Sequence, residues 1–324
     1  MNDPELADAV AILRRGGLVA FPTETVYGLG ADAGNPAAIA RLYAAKGRPA
    51  DHPVIVHIAD IGQLTQWSRE VTPLAQKLAR GFWPGPLTMI LKRAAGVRDE
   101  VTGGQDTVGL RIPSHAVAHA LLAKFGGGIA APSANRFGRV SATTAAHVRQ
   151  EFGGAVDCVL DGGQSDVGIE STIVDATGAA PVLLRPGHIS ARQIEEAAGT
   201  PLAAATAHSP RAPGTLPAHY APATPLLVME SDLLLELAAT LTRQGKRVAV
   251  LARSALQPLL KGVTWIAGPA DAASYAHDLY ANLRALDSAK CDALLVEQLP
   301  HTPEWAAVND RLGRAAAGSQ SSAG

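Results

Sequence analysis

Lys46 and Arg48 stand two residues apart beside a glycine, in Lys46-Gly47-Arg48-Pro49. On a turn such a pair can converge on one anion, the guanidinium as a bidentate fork and the ammonium as a point charge. The plainer alternative is a solvated basic turn. A second polar cluster is Phe21-Pro22-Thr23-Glu24-Thr25-Val26-Tyr27-Gly28-Leu29-Gly30. It sets two threonine hydroxyls, a carboxylate and a phenol on a Pro- and Gly-bounded loop after an apolar strand, where rigid scaffolds place binding groups. His57 sits within the apolar run Val54–Ile58, and His52 precedes it; either is a satisfied core histidine or a ligand. Thr107 and Arg111 bracket another apolar strand, and Arg111 alternates with Leu110 and Ile112, so its buried guanidinium needs an anionic partner. Ser133-Ala134-Asn135 follows a short strand, with Arg136, Arg139 and Ser141 close behind. Glu170-Ser171-Thr172 precedes a strand, and Arg185 ends one before Pro186-Gly187. Together these clusters are rich in Arg, Lys, Ser and Thr and poor in acids, which suits a phosphate-bearing ligand with a small carboxylate.

Other chemistries lack their residues. Gly28-Leu29-Gly30-Ala31-Asp32-Ala33, with Asp51 some way on, imitates a dinucleotide fingerprint. That motif needs a strand running into its first glycine and a helix opening within it. Here Pro22 ends the strand early and the helix signal, Asn35-Pro36, comes late. No Walker loop, nucleophile elbow or His-Glu-x-x-His helix occurs. Cys158 and Cys291, the two cysteines, lie in separate apolar segments, which argues against a disulfide framework or a cysteine zinc site.

The elements that must carry these residues follow from periodicity and punctuation. The first part of the chain predicts a helix over Pro4–Arg15 and a strand over Leu18–Phe21. Helices are expected from Pro36 to about Ala45 and over Leu74–Arg80. Further strands are expected at Val54–Ile58, Leu87–Lys92, Val108–Ile112, Gly128–Ala131, Val156–Leu160, Ser171–Val174 and Val182–Arg185. Ser141 is predicted to cap a helix reaching about Phe152, and Ser190 with Gln193 forms a capping box. From about Pro201 to Pro225 periodicity disappears and prolines 210, 213, 217, 222 and 225 stiffen a linker. Beyond it, strands at Leu226–Met229, Val248–Leu251, Val263–Ile266 and Ala293–Val296 alternate with helices, which predicts a small parallel sheet covered on both faces. One of those helices is a short one after Leu251. At 324 residues, 47% apolar, two domains are expected. The net charge of −1 excludes a broadly basic nucleic-acid binder, and neither a signal core nor a spanning apolar run is present.

The stretches PTETVYGLGADA, KGRPADHPVIVHI, WPGPLT, TVGLRIP, APSANRFGRVSATT, STIVD and LLRPG, in this order over roughly residues 10–190, resemble the threonylcarbamoyl-adenylate synthase family, whose catalytic module is the YrdC-like domain. HYAP in the linker and the ending NDRLGRAA resemble the family's long two-domain form. The resemblance implies an α/β fold. A YrdC-like domain over 1–204 would have a twisted mixed sheet with flanking helices around a deep basic cavity. A Pro-rich linker or lid would span 205–224, and a smaller Rossmann-like α/β domain 225–317. A disordered tail is expected over 318–324. It also implies a reaction: L-threonine and bicarbonate form a carbamate, which attacks the ATP α-phosphate and releases pyrophosphate, with magnesium carried on the ATP phosphates.

By position, Thr25, His57, Arg111, Ala131 and Ser171 match the threonine side. Arg48, His52, Thr107, Ser133, Ser141 and Arg185 match the ATP side. Lys46, Arg48 and Asn135 are expected to stabilise the reacting groups. Thr215-Leu216-Pro217-Ala218 departs from the basic and aromatic residues usual in that linker, leaving His219 and Tyr220 as the expected lid. The product would feed a partner transferase that modifies the adenosine beside the tRNA anticodon. Location is expected to be cytoplasmic, with no membrane contact and little direct tRNA binding. The competing readings are an RNA-binding module and another YrdC-type carbamoyl transferase, although the acylphosphatase and zinc-finger segments of the latter do not appear.

Overall fold

The computed structural model describes residues 3–320. They form two units: residues up to 137 together with 142–215, and residues 138–141 together with 216 onward.

In the first unit, helix α1 (Asp3–Arg14) leads to strand β1 (Val19–Phe21), β2 (Gly28–Asp32), α2 (Pro36–Lys46), β3 (Ile55–His57), α3 (Leu64–Trp67), α4 (Pro73–Phe82) and β4 (Leu87–Lys92). Then come α5 (Asp99–Thr102), β5 (Thr107–Arg111), α6 (Ala116–Phe125), β6 (Ile129–Ala130), α7 (Ala145–Phe152), β7 (Cys158–Val159), β8 (Thr172–Asp175), β9 (Val182–Arg185) and α8 (Ala191–Ala198). Among the described residues the strands join one nine-stranded mixed sheet, ordered β7-β1-β2-β6-β3-β5-β4-β8-β9. The period of two along each strand divides the core. Val19, Phe21 and Ile129 pack with α1 and α6 through Leu13, Leu121 and Leu122. Ala20, Val56 and Ala130 pack on the other side with α2, α4 and α8 through Leu42, Leu78 and Ile194.

The second unit runs β10 (Leu226–Met229), α9 (Ser231–Arg243), β11 (Val248–Ala252), β12 (Val263–Ala267), α10 (Ala272–Ser288), β13 (Ala293–Glu297) and α11 (Ala306–Gln320). Its four strands, ordered β10-β13-β11-β12, are all parallel. The alternation read from the sequence therefore gives the expected second sheet. No described helix is long and apolar enough to cross a membrane.

Several local expectations are corrected. Gly28–Gly30, read as the end of a loop, opens the strand Gly28–Asp32 between β1 and β6. A Cβ on Gly30 would lie 2.8 Å from the Phe21 ring and 2.9 Å from Ile129, so that glycine serves close strand packing rather than phosphate approach. The cap of α7 is Thr144, whose hydroxyl accepts from His147 N at 3.2 Å, and not Ser141. Helix α6 escaped the sequence reading because its cap is His115, whose Nδ1 accepts from Val117 N, rather than a residue of the usual capping set. Between β11 and β12 no helix forms. Of the tail expected to be disordered, Gly318 to Gln320 belong to α11; residues 321–324 lie outside the described residues.

Candidate functional site

Strand register gathers the first group. His57 pairs with Arg111 across β3 and β5. Leu110 pairs with Met89 across β5 and β4, and Thr88 with Ile173 across β4 and β8. Alternation then puts His57, Arg111, Thr88 and Ser171 on one face of the sheet. The polar turn after β1 supplies Glu24 and Thr25. The Thr23 hydroxyl holds that turn, donating to Val26 O at 2.6 Å and accepting from Thr25 N and Val26 N. Arg111 is buried and tied at each nitrogen. Nη1 donates to Thr25 Oγ1 at 2.8 Å, Nε donates to Gly85 O at 3.2 Å, and Nη2 lies 2.7 Å from the Glu24 carboxylate. That last contact is a charge contact rather than an aligned hydrogen bond. Burial, the largest single influence, works to raise the Glu24 carboxyl, but the Arg111 charge and nearby backbone N–H groups together hold it below the ordinary carboxylate value. The acidic partner that Arg111 requires is thus Glu24, a residue the sequence reading noticed only as part of its turn.

His57 is 3% exposed. Burial chiefly, and the charge of Arg111, push its pKa down to about 3, so the ring is neutral at working pH. Its Nδ1 finds no hydrogen-bond partner among the described residues. Ala131, one residue past β6, donates its N–H to Ile55 O at 2.9 Å, which brings the chain leading to Ser133 against the start of β3, the strand that His57 ends. Ser171 joins the network through Thr88, with the hydroxyls 2.8 Å apart, and through Arg185. Arg185 donates to Ser171 O from Nε at 3.1 Å and from Nη2 at 2.9 Å, and to Pro213 O from Nη1 at 2.8 Å.

The second group surrounds the C-terminus of α2. Gly47, at φ 63°, ends that helix in the left-handed conformation that glycine tolerates and turns the chain into Arg48. Lys46 is buried, and its Nζ donates to Ser133 O at 2.5 Å and to Asn135 O. Burial, and after it the nearby Arg48, pull its pKa well below the ordinary lysine value. Arg48 donates to Pro53 O at 2.7 Å, and its guanidinium lies 5.7 Å from the centroid of the Phe137 ring. His52 meets that ring edge-on at 5.3 Å. Ser133 is linked back to the first group by its bridge to Gly28. Thr107 stands apart from both groups, opposite Lys92 at the far end of β5 from Arg111.

In the first unit the buried charged side chains are Glu24, Lys46, Arg48, Arg111, Glu170 and Arg185. Four cations face two carboxylates, so this interior favours an incoming anion. Ser141, His219 and Tyr220 belong to the second unit. There the Tyr220 ring stacks on Tyr280 at 5.8 Å, meets His219 at 4.1 Å, and lies 5.3 Å below the Arg311 guanidinium.

Known proteins share this architecture over nearly the whole chain. Residues 11–187 match the Sua5–YciO–YrdC family model, described as "Telomere recombination", and residues 189–317 match the model described as "Threonylcarbamoyl-AMP synthase, C-terminal domain". The chain is 41% identical to a threonylcarbamoyl-AMP synthase of Bacillus subtilis, covering 98% of this chain and 94% of that protein. It is 39% identical to one of Pyrococcus abyssi, covering 95% and 92%. A crystal structure of P. abyssi Sua5 complexed with L-threonine superposes with a TM-score of 0.90 at 37% identity, over 98% of this chain and 96% of that one. With both sheets, the strand-end network and these full-length likenesses in agreement, the chain belongs to the threonylcarbamoyl-AMP synthase family.

Proposed function

We propose that this protein condenses L-threonine, bicarbonate and ATP into threonylcarbamoyl-AMP and pyrophosphate, for threonylcarbamoyladenosine modification of tRNA. The observation that carries the reading is Arg111, a buried guanidinium fixed by Thr25, Gly85 and Glu24 beside a neutral histidine. Such a group suits the α-carboxylate of an amino acid. Thr25 and Ser171 offer hydroxyls to the same substrate, His57 an uncharged ring nitrogen, and Ala131 the backbone at the strand end.

In the reaction the threonine amine forms a C–N bond to the bicarbonate carbon, with loss of water. A carbamate oxygen then attacks the α-phosphorus, and the bond to the bridging oxygen of pyrophosphate breaks. No protein nucleophile is needed, so catalysis rests on placement and charge. Arg48, Ser133 and Arg185 would act on the nucleotide; His52 and Ser141, and Thr107 at the far end of β5, are assigned to it by their positions in the family pattern. The charged form of Lys46, disfavoured by burial, would be favoured again by an anion beside it, and Asn135 is held on the turn that Lys46 grips. Magnesium would arrive on the triphosphate, held by phosphate oxygens and water. His219 and Tyr220 are assigned the closing of the site against water, which matters for a labile carbamate and adenylate.

The test is pyrophosphate release, expected only when threonine, bicarbonate, magnesium and ATP are all present; release without threonine would reject the reading. Arg111→Ala is expected to weaken threonine binding about 10- to 100-fold while ATP binding changes little, by calorimetry. The reverse pattern would reject the division of roles.

A further inference from the structure

Gly138–Ser141 lies inside the stretch APSANRFGRVSATT, yet it groups with residues 216 onward. The reason is a set of bonds to α10 and to the chain just before β10. Arg284 and Asp287 stand three residues apart on α10 and so share a helix face. Arg284 donates from Nε to Ser141 O at 3.1 Å and from Nη2 to Val140 O at 2.5 Å. Asp287 lies 3.7 Å from the Arg139 guanidinium. The same carboxylate accepts from Ala223 N at 2.9 Å and from Thr224 N and Oγ1 at 2.8 Å. Ala221 N donates to Gly138 O at 2.7 Å, so the two short stretches run together as a parallel bridge.

Three of the four carbonyls in this segment are therefore held, two of them by one planar guanidinium. A fork on successive carbonyls fixes the orientation of both peptide planes, which a single point charge does not do. Ser141, fully buried, projects from the backbone so fixed. We infer that Arg284 and Asp287 are positioning residues for Ser141, and that through Ser141 they set affinity for the nucleotide. The inference rests on the reading of Ser141 as an ATP-side residue. It gives these two side chains of α10 a part in the reaction that touches neither substrate nor reacting atoms.

The experiment uses the full-length protein and measures the KM for ATP by pyrophosphate release and the Kd for threonine by calorimetry without nucleotide. Arg284→Ala is expected to raise the KM for ATP about tenfold, as loss of a charge-assisted bond would, with the threonine Kd unchanged. Arg284→Lys should recover part of that loss, because an ammonium still reaches one carbonyl. Asp287→Asn should give a smaller rise and stands in if Arg284→Ala does not fold. Lys261→Ala, an exposed charge of the same unit, should behave as the parent. If Ser141→Ala raises the KM for ATP while Arg284→Ala and Asp287→Asn do not, the inference is overturned and the reading of Ser141 stands. If Ser141→Ala itself leaves the KM unchanged, that reading falls, and the inference with it. Equal weakening of threonine and ATP in Arg284→Ala, without recovery in Arg284→Lys, would make the residue a general support of the fold and overturn the inference.

Discussion

His57 offers a measurable consequence of being buried next to a guanidinium. The unfolded chain binds a proton at the imidazole near its ordinary value of 6.5, whereas the folded chain binds it only near 3. Between those values the unfolded state takes up more protons, so stability falls as pH falls through the window, by about 1.4 kcal/mol per pH unit for one group. Between pH 7 and pH 4.5 the loss due to His57 amounts to roughly two units, or about 3 kcal/mol. Buried carboxylates such as Glu24 contribute in the same direction, so the comparison must be differential. His57→Gln keeps polarity and removes the titration. Denaturant unfolding of both proteins at pH 7 and pH 4.5 should show the parent losing about 3 kcal/mol more than the variant. NMR of the His57 ring should show no midpoint above pH 4. A ring midpoint near 6.5, or identical pH dependence in the two proteins, would refute the account of the site as a closed, positively charged interior. At pH 7, where the ring is neutral in both states, His57→Gln should lower activity far more than melting temperature if the nitrogen faces a ligand.

Two further outcomes follow from the same contacts. Glu24→Gln leaves the buried Arg111 without its carboxylate, which should cost about 3–5 kcal/mol of stability. Threonine should then raise the melting temperature of the variant further than that of the parent, because its carboxylate replaces the lost charge; a variant as stable as the parent would remove Glu24 from the network. Thr144→Ala should destabilise the protein by about 1 kcal/mol through loss of the α7 cap, and Ser141→Ala should show no capping loss. Equal stability costs in chemical denaturation would return the cap to Ser141.

The two sheets and most strands were legible because apolar alternation survives in a single sequence. The polar clusters were legible because Arg, Ser and Thr at strand ends are costly to bury without a purpose. What escaped was set by contacts far apart in sequence. Gly28–Gly30 carries little side-chain bulk and reads as the end of a loop, but it opens a strand because β1 and β6 supply partners on both edges. Ser141 has the residue type and the spacing of a cap, yet the hydroxyl within reach of the free N–H belongs to Thr144. Glu24 looked like one polar group among several; only the fold places its carboxylate on Arg111. The roles of Arg284 and Asp287 left no trace in local pattern, since a charged pair on an amphipathic helix looks like a solvated face.

The linker shows how a segment without periodicity is nevertheless specified. Its composition predicts no core, and it has none of its own, but each half borrows one. In the first unit Ala212 is buried against Ile55, Ile90 and Ile173, Arg211 donates to Gly103 O, and Pro213 O receives Arg185. In the second unit the motif HYAP is held by the motif NDRLGRAA. Arg311 lies over Tyr220, Arg314 Nη1 donates to Leu216 O, and Arg314 O accepts from His219 N. A Cβ at Gly318 would lie 2.9 Å from Ala221, so the residue taken as the start of a loose tail is the one that lets α11 pass the linker backbone. Prolines lower the entropy cost of such borrowing by limiting what the unfolded chain explores. The two motifs lie about ninety residues apart and each is weak alone, but they are two halves of one clamp. A change in Arg311 or Arg314 would act on the linker as directly as a change in His219 or Tyr220.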